Sequence, residues 1–279
     1  MAMASHRPRK RFGQNFLENE AVIQRIVASI DARADDDLVE IGPGLGALTR
    51  LLLERVDRLH VIELDRDLAD GLPRRLGQPD HLIIHQADAL RFDFAGLADA
   101  LGSEQGLRIV GNLPYNISTP LLFHLLDQAD RVIDMHFMLQ REVVERLTAE
   151  PGHKHFGRLS VMAQYRADCT FLFGVPPDAF RPAPKVDSAV VRIQPNVLNA
   201  AAQARMARLD TVVRKAFGQR RKTLRNTLKG LFKAEQIEQL AIDSGRRAET
   251  LSMDEFIRLA DALSDDTNLD TPVRTRSSS

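Results

Sequence analysis

Cysteine is almost missing from this chain. Cys169 is the only one in 279 residues, which excludes an internal disulfide and fits a reducing compartment. No apolar run approaches the roughly 20 residues of a membrane-crossing helix. The amino terminus lacks the apolar core of a secretory signal, and no internal repeat is visible. These absences lead us to expect a soluble, cytoplasmic protein with no membrane contact and no metal site. Net charge is also missing, because 38 Lys and Arg balance 38 Asp and Glu. What remains is an ordinary globular composition, 44% apolar, in a chain long enough for one full α/β domain and a smaller second one.

The zero balance hides a segregation. Arg7, Arg9, Lys10 and Arg11 crowd the amino terminus without an acid. Between residues 205 and 233 ten basic residues face Asp210 alone. Concentrated charge of this kind is an electrostatic footprint for a polyanion. A solvated helix face is the alternative, but such faces usually mix signs. Arg220, Arg221 and Lys222, three in a row, are the candidate nucleic-acid-binding residues.

The rest of the sequence is organised around residues 38–49. Leu38, Val39 and Ile41 read as a strand buried on both faces, and Gly42, Gly44 and Gly46 then force a tight turn into helical spacing over 48–55. Glycine tolerates positive φ and lets a ligand approach the backbone closely. The pattern is G-x-G-x-G, one residue shorter than the usual dinucleotide fingerprint. Glu63 ends the next apolar run, about 20 residues on, where an acid takes ribose hydroxyls. S-adenosylmethionine has the ribose and adenine but no phosphate, so it suits the shorter loop.

Candidate strands at 38–41, 59–62, 82–85, 107–110 and 133–139 alternate with helical patterns, which argues for a parallel sheet with helices on both faces. An amphipathic helix over 19–30 precedes them. Asp88 ends the third strand as Glu63 ends the second, so both carboxylates should reach one rim. Asp88 either accepts from an adenine amino group or caps a helix. Residues 180–186 are extended and fixed by prolines. A last strand over 188–193 is expected at the far edge of the sheet. The expected organisation is a flexible basic arm over 1–11, a cofactor-binding α/β domain over 12–195, basic helices over 204–263 and a disordered tail over 264–279.

The fourth strand ends in Gly111-Asn112-Leu113-Pro114-Tyr115. Asn112 offers a side-chain carbonyl, Leu113 a backbone carbonyl and Tyr115 a flat ring. Such a set suits an exocyclic amine on a flat base. Two acceptors on the two N–H groups of adenine N6 would draw the nitrogen towards sp³ and aim its lone pair at a methyl donor. Stacking on Tyr115 would hold the ring plane.

These residues resemble the ribosomal RNA adenine N6-dimethyltransferase family, most closely its bacterial small-subunit branch. The matching pieces are Gln14-Asn15-Phe16-Leu17, Glu40-Ile41-Gly42-Pro43-Gly44, Val61-Ile62-Glu63-Leu64-Asp65, Asp88-Ala89 and Asn112-Leu113-Pro114-Tyr115. Gln140-Arg141-Glu142, Phe180-Arg181-Pro182-Ala183-Pro184-Lys185-Val186-Asp187-Ser188 and Gln219-Arg220-Arg221-Lys222-Thr223 follow in family order.

The resemblance implies a Rossmann-like class I methyltransferase fold with a small all-α carboxyl-terminal domain. It implies S-adenosylmethionine held by Asn15, Leu17, Gly42, Gly44, Glu63, Asp88 and Asn112. The catalytic set would be Asn112, Leu113, Tyr115 and Phe180, with Phe180 on the second face of the base unless it merely packs in the core. The implied reaction is dimethylation of two adjacent adenosines near the 3′ end of small-subunit ribosomal RNA, on immature 30S particles, by a monomer. An assembly factor with secondary methylation is the alternative. A DNA adenine methyltransferase is disfavoured, because Leu113 stands where those enzymes carry proline.

Overall fold

The computed structural model describes residues 15–263, so the expected basic arm, the expected tail and Gln14 lie outside the described residues. The chain divides into two compact units. Of the described residues, the first takes those up to Ala149 and Ala163–Val197, and the second takes Glu150–Met162 and those from Leu198 on.

The first unit begins with a two-residue strand, β1 (Phe16–Leu17), and helix α1 (Glu20–Ile30). The Asn19 side chain accepts from the Val22 N–H at 3.1 Å and so caps α1. Ile23, Ile26, Val27 and Ile30 recur at helical spacing and form its buried face. Then come β2 (Leu38–Ile41), α2 (Thr49–Leu52), β3 (Leu59–Glu63), α3 (Arg66–Arg75), β4 (Leu82–Gln86), α4 (Phe94–Leu101), β5 (Leu107–Asn112), α5 (Ser118–Leu126), β6 (Val132–Gln140) and α6 (Arg141–Leu147). After α7 (Arg158–Gln164), within which the two units meet along the chain, the first unit closes with β7 (Ala167–Val175), β8 (Phe180–Arg181) and β9 (Ser188–Pro195).

Seven strands form one sheet in the order β4-β3-β2-β5-β6-β9-β7. From β4 to β6 all neighbours are parallel, and β9 runs antiparallel to both β6 and β7. The chain winds outward from β2 through β3 to β4, then returns to β5 on the other side of β2. The crevice beyond the carboxyl ends of β2 and β5 is the topological switch point, where open α/β sheets bind ligands. At the other end of β5, Arg108 reaches Asp134 of β6 at 3.0 Å and Asp36 at 2.6 Å. It also donates to the Ile30 carbonyl at 2.5 Å, which ties the end of α1 to the sheet.

The last strand differs from expectation. The segment around 188 is not the edge; β9 lies inside, and the edge is β7, which the sequence does not announce. The register of β7 against β9 slips between Phe171 and Phe173, so its apolar residues do not alternate cleanly.

In the second unit, α8 (Ala200–Ala216) starts four residues before the expected position, because Asn199 caps it through the Ala202 N–H. Helices α9 (Leu224–Thr227), α10 (Ala234–Gln239) and α11 (Met253–Ala262) follow. This unit also holds Glu150–Met162, which by sequence falls inside the methyltransferase domain. Phe156 is buried with its ring edge-on to Phe217, the Gly152 N–H donates to the Glu249 carbonyl at 2.6 Å, and Arg158 pairs with Asp210.

Candidate functional site

A cavity of about 360 Å³ opens at the switch point of the first unit. Asn15, Leu17, Gly42, Gly44, Glu63, Asp88, Asn112, Leu113 and Tyr115 all line it. Residues spread over a hundred positions of sequence are thus gathered at one rim by the parallel strands that end there.

The floor is the glycine turn after β2. Gly42, Gly44 and Gly46 have φ of 67°, 58° and 89°. At Gly44 the positive φ favours glycine, and a Cβ would stand only 3.2 Å from the ring of Phe16, a tight approach to the strand laid over it. At Gly111 the backbone is ordinary, but a Cβ would come within 2.6 Å of the Ile41 carbonyl. Its absence lets β5 lie against β2 just before Asn112.

Glu63 is buried at the end of β3, where one carboxylate oxygen accepts from the Asp65 N–H at 2.8 Å and the other from the Gly44 N–H at 3.3 Å. Burial pushes its pKa up, and the two backbone donors partly restrain the rise. Glu40, from the middle of β2, also lines the cavity. It is 2% exposed and its Oε2 makes no hydrogen bond. Burial, with the charge of Glu63 adding, raises its pKa to about 8. The sequence gives Glu40 no role of its own beyond the strand and the matching Glu40–Gly44 piece; its signal is a carboxylate inside an otherwise apolar run. Asp88 accepts from the Leu90 N–H at 3.0 Å through Oδ1, a local turn that leaves Oδ2 for a ligand.

Asn112 donates from Nδ2 to the Asn15 carbonyl at 3.1 Å. That bond uses one of the two N–H donors, fixes the amide's orientation and leaves Oδ1 as the acceptor. The Leu113 N–H donates to the Met138 carbonyl of β6 at 3.2 Å, which fixes the peptide whose neighbour carries the second acceptor. Tyr115 reaches Ser188 through its hydroxyl at 2.7 Å, and burial raises its pKa.

Two sets of expected site residues are placed otherwise. Phe180 is 1% exposed, packed in the core with Leu17, Val175, Ala179 and Val190, and is not part of the cavity wall. Its backbone pairs with Leu17 across β1 and β8, which places the ring among core residues as the packing alternative expected. A phenylalanine between prolines gives the same sequence signal in either role. Arg220, Arg221 and Lys222 lie in the second unit and do not act alike. The Arg220 guanidinium is held inside the unit by Glu249 at 2.9 Å and by the carbonyls of Lys154 and Phe156. Arg221 and Lys222 are exposed and enter no ion pair among the described residues.

Among the described residues, the cavity wall contains three carboxyl groups, Glu40, Glu63 and Asp88, and no Lys, Arg or His. A pyrophosphate would find no counter-charge there. S-adenosylmethionine fits, with hydroxyls for Glu63, an adenine amine for Asp88, no phosphate, and positive charge for a buried acidic site. Leu45 and the 52% exposed Leu64 add apolar surface for a flat ring.

The family model for ribosomal RNA adenine dimethylase matches residues 5–265. The chain is 54% identical over 258 residues to the ribosomal RNA small subunit methyltransferase A of Acinetobacter baylyi, covering 92% of this chain and 93% of that one. To the protein of the same name from Chromobacterium violaceum it is 54% identical over 263 residues, covering 94% and 98%. Among solved structures, a dimethyladenosine transferase from Plasmodium falciparum shares the fold at a TM-score of 0.74 and 24% identity, covering 88% of this chain and 95% of that one. The 23S rRNA methyltransferase ErmE aligns at a TM-score of 0.70 and 25% identity, covering 89% and 99%. The chain belongs to the ribosomal RNA adenine dimethylase family, and it is an S-adenosylmethionine-dependent methyltransferase of the class I fold.

Proposed function

We propose that the enzyme dimethylates N6 of two adjacent adenosines near the 3′ end of small-subunit ribosomal RNA, acting in the cytoplasm as a monomer on immature small subunits. The observation that carries this reading is the orientation of Asn112. With Nδ2 donating to the Asn15 carbonyl, Oδ1 is left to pair with the Leu113 carbonyl as acceptors at a cavity whose described wall is acidic.

Glu63, Asp88 and the glycine turn hold S-adenosylmethionine, which when bound supplies an electrophilic methyl group on a sulfonium. Tyr115 gives the target adenine a face to stack on. Adenine N6 is a poor nucleophile because its lone pair is delocalised into the ring. Asn112 Oδ1 and the Leu113 carbonyl accept its two N–H groups, favour the pyramidal nitrogen and so free the lone pair. No strong base is required of the protein, because a methylated ammonium is acidic enough to lose its proton to water. The monomethyl product retains one N–H, so one of the two acceptors can hold it for a second round. Arg221 and Lys222 are proposed to meet RNA phosphates.

Labelled cofactor offered with immature small subunits, with mature subunits or with duplex DNA tests the reading. Label should enter the immature subunits. Label confined to DNA would overturn it, and binding to subunits without any transfer would favour a pure assembly factor.

A further inference from the structure

Tyr115 and Ser188 lie 73 residues apart in sequence, yet their hydroxyl oxygens are 2.7 Å apart. Ser188 is fully buried at the first residue of β9. There the backbone pairs with Gln140 of β6 on one side and Val175 of β7 on the other. A hydroxyl on a strand paired along both edges cannot move without disturbing two ladders. Tyr115 has no such support. It sits in the turn after β5, where its carbonyl accepts only a local bond from the Ser118 hydroxyl at 3.1 Å.

The Tyr115 hydroxyl is half-buried, its pKa is raised by burial, and Ser188 is its one hydrogen-bond partner among the described residues. A neutral phenol in that setting needs its partner, since an unmade bond at a buried group is costly. The Tyr115 Cα anchors one end of the ring's long axis and Ser188 anchors the other. The ring is thereby fixed to the rigid sheet although its backbone belongs to a turn.

We propose that Ser188 is a positioning residue for methyl transfer, setting through Tyr115 where the target base comes to rest against Asn112 and Leu113. The proposal rests on the stacking role given to Tyr115. Ser188 itself touches neither substrate nor cofactor. Without its hydroxyl the ring tilts, the base shifts from the two acceptors, and the rate falls while cofactor affinity, set by Glu63 and Asp88, stays as it was. Small displacements of a reacting group cost rate steeply.

The test is single-turnover transfer to immature small subunits at saturating S-adenosylmethionine, for wild type, Tyr115→Phe, Ser188→Ala and the double variant, with cofactor affinity measured by calorimetry. Each single change should slow transfer about tenfold, the size expected for losing one positioning hydrogen bond. The double variant should be no slower than either single one, and cofactor affinity should stay within about twofold. Tyr115→Phe keeps both the ring and Ser188, so it decides the matter even if Ser188→Ala disturbs β9. A rate for Tyr115→Phe within about twofold of wild type, or losses that multiply in the double variant, would overturn the proposal. Tyr115→Ala separates the two levels. If it is slow while Tyr115→Phe is fast, stacking stands and the role of Ser188 falls; if it too is fast, both fall.

Discussion

The Asn112 side-chain amide donates to the backbone carbonyl of Asn15 at 3.1 Å, across 97 residues of sequence. The bond joins the end of β5 to the segment that continues into β1, whose Phe16 ring lies over Gly44. The group proposed to activate the target amine is thus set by the same segment that covers the glycine turn.

Asn112→Ala should lower kcat about 100-fold or more at saturating S-adenosylmethionine, the scale of losing one preorganised transition-state acceptor. Affinity for the RNA should change much less. Single-turnover kinetics with separately measured RNA binding will show whether the loss falls on the chemical step.

Glu63→Ala should weaken S-adenosylmethionine binding at least about tenfold, because charge-assisted hydrogen bonds to ribose hydroxyls are each worth about 1.5–3 kcal/mol. Burial raises the pKa of this carboxyl. Its acceptor form is therefore lost at a higher pH than for an ordinary glutamate, and cofactor binding should weaken as pH falls towards the acid range. Calorimetry across pH checks both effects, and Glu63→Ala should flatten the pH dependence.

Arg220, Arg221 and Lys222 should separate under mutation. Replacing Arg221 and Lys222 by alanine should flatten the salt dependence of RNA binding by about one unit of slope per lost phosphate contact, with unchanged stability. Arg220→Ala should instead lower the unfolding midpoint, since it releases Glu249 and the Lys154 and Phe156 carbonyls from one side chain. Salt titrations and urea melts of the two variants distinguish the roles.

His60 and His85, on adjacent strands β3 and β4, stack with ring centroids 5.2 Å apart and their Nδ1 and Nε2 atoms 2.9 Å apart. Burial, with the neighbouring His85 adding, lowers the pKa of His60 from 6.5 to about 4. A base whose folded pKa is depressed contributes stability above its unfolded pKa and loses it as pH falls towards the folded value. The stability of wild type relative to His60→Leu should therefore shrink by about 2 kcal/mol between pH 7 and pH 5. Urea unfolding of the two proteins at both pH values measures it.

Much of this site was legible because parallel strands make position readable. A carboxylate or amide closing an apolar run must lie at the carboxyl edge of the sheet, and Glu63 and Asn112 do. The glycine turn was legible for the same reason, since three alternate glycines have few other uses. Partnerships across the fold were not legible. Nothing local to Ser188 reveals that it meets Tyr115, and nothing local to Arg220 reveals that it is spent on Glu249. At Phe180 the sequence left two roles open, since an apolar ring serves the core or a base equally well on paper. The edge strand β7 escaped because a bulge interrupts its alternation. The capture of Glu150–Met162 by the second unit escaped because no change of composition marks it.

The central claim is that Asn112 and the Leu113 carbonyl carry adenine N6 through two successive methylations. Mass spectrometry of nucleosides from immature small subunits, sampled over the time the wild type needs for exhaustive reaction and over the same time with Asn112→Ala, tests it most directly. We predict that dimethyladenosine accumulates with the wild-type enzyme, with monomethyladenosine seen only in passing, and that the variant forms almost none of either. Accumulation of monomethyladenosine without dimethyladenosine by the wild type, or dimethyladenosine from the variant at the wild-type rate, would contradict it.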